Sequence, residues 1–331
     1  MSLVIDLEKT SVLGNGQFSN VLYYPNNKNN NYDAIKQPTS PDYQKRMKDE
    51  FELIQYIQKD NKKDTNIIKI YNQLIYNIND INYECPCIGM EYCNGGNLKT
   101  LIYKDIPNLK KWNYIIKSED KIYYNIFKQI LKGINEIHKK KIIHRDLKLD
   151  NILIHKSDRN TPNILEKNKF IIKICDFGES QKDDDKTACS EIRGSLPYLA
   201  PEVLKTEEIT IKTDIWALGC MFYEILTGEH LIKIKSEKKI ETCFEGLVFL
   251  NKIYDDKRRW DDEKVFKYIY IDKNKYKFNK LIYNCVNKEQ EKRMLSEDLL
   301  KILKNKGKNR LGNTFSRMFR CVRNKPTNEG R

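Results

Sequence analysis

Residues 144–151 read His-Arg-Asp-Leu-Lys-Leu-Asp-Asn. Within these eight positions stand Arg145, Asp146, Lys148 and Asp150, with a histidine at one end and an asparagine at the other. An amphipathic helix or a half-buried strand does not use charge this way, because each needs apolar residues at a period of about 3.6 or about 2. Asp146, Lys148 and Asn151 are spaced by two and five positions. A carboxylate, a cation and a neutral oxygen donor therefore share one short segment, and so dense a polar cluster points to chemistry rather than to packing.

Working outward, the segment is bracketed by apolar runs. Ile122, Tyr123, Ile126, Phe127, Ile130, Leu131, Ile134 and Ile137 precede it at helical spacing, and Ile152-Leu153-Ile154 follows as a short strand. Asp176-Phe177-Gly178 stands twenty-five residues after Asn151, directly behind the apolar run from Phe170 to Cys175. Gly194-Ser195-Leu196-Pro197-Tyr198-Leu199-Ala200-Pro201-Glu202 comes next. Upstream lie Leu13-Gly14-Asn15-Gly16-Gln17-Phe18-Ser19-Asn20-Val21 and Ala34-Ile35-Lys36. Taken singly, the glycine pair is most simply a hairpin, Lys36 a surface lysine and Asp-Phe-Gly a turn. Their order gives them weight.

In that order the motifs resemble the eukaryotic-type protein kinases, in their serine/threonine form, over roughly residues 6–304. The resemblance implies an α+β, bilobal fold. A small antiparallel-sheet N-lobe would span about 6–92 and a larger, mainly helical C-lobe about 97–304, with a basic tail at 305–331. It implies ATP-dependent phosphorylation of serine or threonine hydroxyls on protein substrates. Catalytic roles fall on Asp146 to align the acceptor hydroxyl, Lys148 for the transferring phosphoryl group, and Lys36 with a helix glutamate for the α- and β-phosphates. Glu50 is preferred as that partner and Glu52 is the fallback. Asn151 and Asp176 supply hard oxygen ligands for Mg²⁺, with Mn²⁺ an alternative. Gly14 and Gly16 let the backbone approach the phosphates; Ser19 replaces the third glycine of the pattern.

The resemblance further places Met90 at the gatekeeper position. The backbones of Glu91 and Cys93 would bond the adenine edge, and Leu13, Val21, Ala34 and Leu153 would sandwich the ring. His144, Phe177 and Ile54 resemble an internal apolar spine. Asp214 would anchor the catalytic loop, Glu202 would pair with Arg293, and Ser195 would contact Asp146 and Lys148. A phosphate on Thr187 or Ser190 could pair with Arg145, unless the acids at 183–185 replace its charge. Asp150 stays open between surface acid and substrate reader. A scaffold without catalysis and a dual-specificity kinase are the competing readings.

The elements fit this division. Strand-like pieces lie near 12–13, 21–24, 32–36, 67–76 and 86–92, and Ser40-Pro41 opens a helix over 41–58. Cys93 to Asn97 is a turn-rich break. Ile215 to Leu226 is apolar nearly all round, as a buried helix is. Strands come first and helices later, which is the α+β pattern.

Bulk properties set limits. The chain has 331 residues, 40% of them hydrophobic, enough for one large domain or two lobes. Its net charge is +14, but the lysines are dispersed among 46 acids, so a solvated surface is the reading and no nucleic-acid partner is expected. The nine cysteines are scattered, which with no signal peptide or apolar span leads to an expected cytoplasmic location with reduced thiols. The segment 155–170 reads as a long polar surface hairpin. In the tail, Phe315, Met318, Phe319 and Val322 lie among arginines at helical spacing. A tail without a fixed partner is the favoured reading there, and contact with an anionic membrane the lesser one. Oligomeric state is not legible.

Overall fold

A computed structural model describes residues 10–24, 34–59, 65–77, 84–104, 120–156, 170–184, 192–205, 208–232, 247, 250, 253–255 and 276–305. The N-terminal part is a five-stranded antiparallel sheet in the order β1-β2-β3-β5-β4. Its strands are β1 (Ser11–Asn15), β2 (Ser19–Tyr23), β3 (Ala34–Pro38), β4 (Ile70–Asn77) and β5 (Glu84–Met90). The register sets Val21 opposite Lys36 and Ala34 opposite Met90. One face of the sheet therefore presents these side chains together.

Ser40 caps the helical segment that crosses this sheet, accepting from the Asp42 backbone N–H. The first turn, Pro41–Tyr43, is a 3₁₀ turn, and α1 proper runs Gln44–Gln58. The expected helix over 41–58 thus begins with a tighter turn, closed by a bond from the Tyr43 N–H to the Ser40 carbonyl. Met47, Phe51, Ile54 and Ile57 form the buried stripe of α1, and Glu50 lies among them.

Beyond the turn at 94–97 the fold is mainly helical, with α2 (Leu98–Lys104), α3 (Asp120–Lys139), the single turn α4 (Pro201–Leu204), α5 (Ile211–Thr227), α6 (Tyr276–Tyr283) and α7 (Ser296–Asn305). All eight stripe residues of α3 from Ile122 to Ile137 are buried. Gly133 allows its close approach, since a Cβ there would meet the Asn66 carbonyl oxygen at 2.9 Å. Helix α5 is buried around almost its whole circumference, starts at the Thr210 cap and ends on Gly228 in the left-handed conformation.

Two small ladders complete this part: β6 (Ile142–Ile143) with β9 (Gln181–Lys182), and β7 (Ile152–Lys156) with β8 (Phe170–Ile174). Strand β7 runs two residues past the expected Ile154, so both ends of the 155–170 segment lie in a hairpin ladder. Residues 157–169 and the tail from 306 lie outside the described residues. A bridge between Ile67 and Ile174, another between Asn97 and Leu153, and one continuous apolar core join the sheet to the helices. No helix among the described residues is long and apolar enough to cross a membrane.

Candidate active site

Lys36 sits on β3 with 6% of its surface exposed. Its ammonium lies 2.7 Å from Glu50 Oε1 and 2.8 Å from Asp176 Oδ1. Burial alone would push its pKa down, but the two carboxylates outweigh that and hold it above the usual lysine value. In return Lys36 holds Asp176 down to about 2. Glu50 also accepts from the Phe177 N–H at 3.1 Å, so one carboxylate ties β3 to the Asp-Phe-Gly turn. Glu52 is exposed and takes no part in this pairing.

Asp146 gathers the second cluster. Lys148 Nζ donates to its Oδ2 at 2.6 Å, and the Ser195 hydroxyl donates to its Oδ1 at 2.9 Å. Lys148 also donates to Ser195 Oγ at 3.2 Å. The Asn151 amide donates to the Asp146 carbonyl at 2.8 Å and to its Oδ2 at 3.2 Å.

The loop bearing these groups is held from below. Asp214, in the first turn of α5, accepts the backbone N–H groups of His144 at 2.8 Å and Arg145 at 3.0 Å, and contacts His138 Nε2 at 2.9 Å. Arg145 and Asp176 both adopt positive φ, at 68° and 66°. Such strained backbone is kept only where its surroundings over-determine it. The His144 ring packs 4.9 Å from Phe177, and its Nε2 meets the Cys175 carbonyl at 3.1 Å.

A cleft of about 640 Å³ opens between the sheet and this cluster. Leu13, Gly14, Gly16, Val21, Ala34, Met90, Glu91, Cys93 and Leu153 line it, together with Lys36, Glu50, Asn151 and Asp176. Among the described residues nothing lies within 4 Å of where a Gly14 Cβ would stand, whereas at Gly16 a Cβ would press on the Ser19 carbonyl oxygen at 3.0 Å. The Glu91 N–H is spent on the Lys69 carbonyl at 2.9 Å. A bond from Glu91 to a planar base must therefore come from its carbonyl.

Other expected contacts sort differently. Glu202 and Arg293 form a buried pair at 2.6 Å, remote from the cleft. Asp150 pairs with Lys99 at 3.0 Å, and Asn97 caps α2 by accepting the Thr100 N–H at 2.7 Å. The Arg145 guanidinium donates to Gln181 on β9. Thr187, Ser190 and Asp185 lie outside the described residues.

Sequence reasoning missed Arg46, whose guanidinium lies 4.0 Å over the Phe18 ring and pairs with Glu179. Its signal was available: Arg46 precedes Glu50 by four positions, one turn away on the same helix face. It also missed Lys173, which meets the Glu91 carboxylate at 2.8 Å.

The comparisons agree with this geometry. The family model described as "Protein kinase domain" matches residues 7–303. The chain is 37% identical over 143 residues to the serine/threonine-protein kinase nekl-2 of Caenorhabditis elegans, covering 43% of this chain and 37% of that protein. It is 31% identical over 221 residues to the inhibitor of nuclear factor kappa-B kinase subunit alpha of Xenopus tropicalis, covering 65% and 26%. To the serine/threonine-protein kinase Nek5 of Mus musculus it is 35% identical over 144 residues, covering 43% and 20%. The matched region thus spans less than two fifths of these relatives' own length. With the sheet, the helical part and the family match over residues 7–303, the chain belongs to the protein kinase domain family.

Proposed function

We propose that this chain transfers the γ-phosphoryl group of ATP to serine or threonine hydroxyls of protein substrates. One observation carries the reading: Lys148, Asn151 and the Ser195 hydroxyl converge on Asp146, across the cleft from the Lys36–Glu50–Asp176 group. In this reading the kinase domain covers 6–304, split at the 93–97 turn, and the tail begins at 305. The protein works in the cytoplasm with reduced thiols.

ATP lies in the cleft as substrate. Leu13, Val21, Ala34, Met90 and Leu153 enclose the base, and the Glu91 carbonyl and Cys93 backbone bond its edge. Gly14 and Gly16 admit the phosphates beneath the β1–β2 turn. Lys36, kept charged by its acids, neutralises α- and β-phosphate oxygens. The donor set suits Mg²⁺ or Mn²⁺: Lys36 occupies Asp176 Oδ1, leaving Oδ2, and the Asn151 amide nitrogen is spent on Asp146, leaving its oxygen. Such a cation, when bound, neutralises charge on the β- and γ-phosphoryl oxygens.

Asp146 accepts a hydrogen bond from the substrate hydroxyl and turns its oxygen toward phosphorus. A hydroxyl fits that position, since Ser195 Oγ already sits 2.9 Å from Asp146 Oδ1. The oxygen forms its bond to phosphorus as the bond to the ADP leaving group breaks, and the hydroxyl proton passes through Asp146. Lys148 neutralises charge on the moving phosphoryl group. The Lys148–Ser195 contact and the relatives named as serine/threonine kinases support a serine or threonine acceptor.

The test is incorporation of label from radiolabelled ATP and Mg²⁺ into a mixed protein substrate, beside Asp146→Asn. Label on serine and threonine, reduced about 10²–10⁴-fold in the variant, is expected. Ordered nucleotide binding without incorporation would instead make the chain a scaffold, and label on tyrosine would make it a dual-specificity enzyme.

A further inference from the structure

The turn between β1 and β2 is tied to the start of α1. The Thr39 N–H donates to the Phe18 carbonyl at 3.1 Å, and the Thr39 hydroxyl to the Gln17 carbonyl at 2.9 Å. The Phe18 ring meets Tyr43 edge-on at 5.1 Å and lies beneath the Arg46 guanidinium at 4.0 Å. The other side of Arg46 faces the segment after Asp-Phe-Gly. It pairs with Glu179, and its Nε lies 3.6 Å from where a Gly178 Cβ would stand. Glu179 is shared, accepting from Arg193 at 3.4 Å. Two residues on from Arg193, Ser195 donates to Asp146.

A guanidinium suits this position because it offers a flat face to an aromatic ring and a rim of donors to a carboxylate at once. A lysine ammonium can also lie over a ring, as Lys69 does over Tyr71 at 4.8 Å, but it has no flat face to lay on the ring while a rim of donors meets the carboxylate. The side chains of Arg46 and Glu179 are 26% and 18% exposed, so solvent screens this pair less than an ordinary surface pair. They line a recess of about 270 Å³ with Phe18, Lys36, Lys148 and Ser195, opening beneath the β1–β2 turn.

We propose that Arg46 is a positioning residue for nucleotide binding: stacked on Phe18 and paired with Glu179, it holds the phosphate-covering turn, helix α1 and the segment after Gly178 as one unit. This rests on the reading of the cleft as a nucleotide site. With the turn held down before nucleotide arrives, less ordering is left for binding to drive, and affinity rises by that amount. Arg46 touches neither the acceptor hydroxyl nor Asp146, so its effect falls on nucleotide binding more than on turnover.

The test uses the full chain with Arg46→Ala, Arg46→Lys, Phe18→Ala and the Arg46→Ala/Phe18→Ala double variant. Direct titration with a fluorescent ATP analogue gives affinity, and steady-state phosphorylation separates KM for ATP from kcat. Arg46→Ala and Phe18→Ala each weaken nucleotide about tenfold, with kcat within about threefold of wild type. The double variant is no weaker than Arg46→Ala to within about twofold, because both changes break one contact. Arg46→Lys recovers less than half of the lost affinity. Should Arg46→Ala unfold, as thermal melting would reveal, Arg46→Lys and Phe18→Ala carry the test. Affinities within twofold of wild type in the folded variants overturn the inference, and so do single effects that multiply in the double variant. If the wild type binds nucleotide but transfers no phosphate, the catalytic reading falls and affinity alone decides the role of Arg46. If it binds no nucleotide, both fall.

Discussion

Lys36 meets both carboxylate oxygens of Glu50 at 2.7 Å, although the two residues lie fourteen positions apart on different elements. The same ammonium holds Asp176, 140 positions away, at 2.8 Å. A strand, a helix and the Asp-Phe-Gly turn thus meet at one buried cation. A buried ion is tolerated only when paired, so the group acts as a check on the relative placement of all three elements.

Lys36→Met is expected to lower phosphoryl transfer by about a hundredfold or more, and to destabilise the fold by about 3 kcal/mol, because two carboxylates lose their cation. The pH behaviour follows from the shifts. Asp176 is depressed to about 2, so its contribution is present above the ordinary carboxylate range and fades only as pH falls through that value. The Lys36 pKa is raised, so its contribution is full below the ordinary lysine range and fades only as pH rises above it. In the variant the two carboxylates lose their cation and burial disfavours their charge, so the stability difference between wild type and Lys36→Met, from urea unfolding, should shrink as pH falls from about 9 to about 5. A difference that stays the same toward acid pH would contradict the pairing.

Asp214→Asn tests the support of the catalytic loop. Asp214 accepts two backbone N–H groups and contacts His138, and an amide would turn an N–H toward one of those donors. The cost is about 1–3 kcal/mol for the group left unpaired. Activity should fall about tenfold or more even at temperatures where circular dichroism shows the variant folded, since Arg145 would lose the anchor of its positive-φ backbone. A variant with a lowered melting temperature and full specific activity would mean that Asp214 supports only the fold.

Much of this was legible in the sequence because the catalytic segments are local. Residues 144–151 carry their polar groups within a few positions, so their density alone exposes them, whereas residues 176–178 look like a turn until their order behind Asn151 and the resemblance give them weight. Helices α3 and α5 were legible because burial leaves a period or a saturated apolar run. The Lys36–Glu50 pair needed the resemblance, since a lone lysine and a lone helix acid look like solvated surface. Arg46, Phe18 and Glu179 were not singled out because their contact spans three elements and uses residue types common on any surface. The start of α1 was misjudged by one turn, because Pro41 fits the first turn of an α-helix and of a 3₁₀ turn equally well.

Glu202 and Arg293 form a bidentate pair, with the second contact at 2.7 Å, and Thr213 adds a hydroxyl to Glu202 at 2.9 Å. The Arg293 guanidinium lies 5.0 Å over the Trp216 ring. Arg293→Met should cost about 3–5 kcal/mol in urea unfolding, because it strands a buried carboxylate. Adding Glu202→Gln removes the stranded charge and should recover at least about a third of that loss. A double variant as unstable as the single one would show that the stacked guanidinium matters through packing on Trp216 rather than through charge.

Cys93 and Cys175 both line the cleft, and both are free thiols. Burial, aided by Glu91, pushes the Cys93 thiol up to about 12, and burial with Asp176 beside it carries Cys175 well above the usual range. Only the thiolate reacts with an alkylating agent, so both should be sluggish at neutral pH despite facing a ligand-sized opening. At about pH 7.5, iodoacetamide should label Cys93 about a thousandfold more slowly than it labels free cysteine, from the difference in thiolate fraction. The rate should climb about tenfold per pH unit up to about pH 9 without levelling, and ATP should slow it further by covering the cleft. Peptide mapping by mass spectrometry resolves the two sites. Labelling of Cys93 at the rate of free cysteine at neutral pH would mean that the hinge opens to solvent, and that the buried thiol is not its prevailing state.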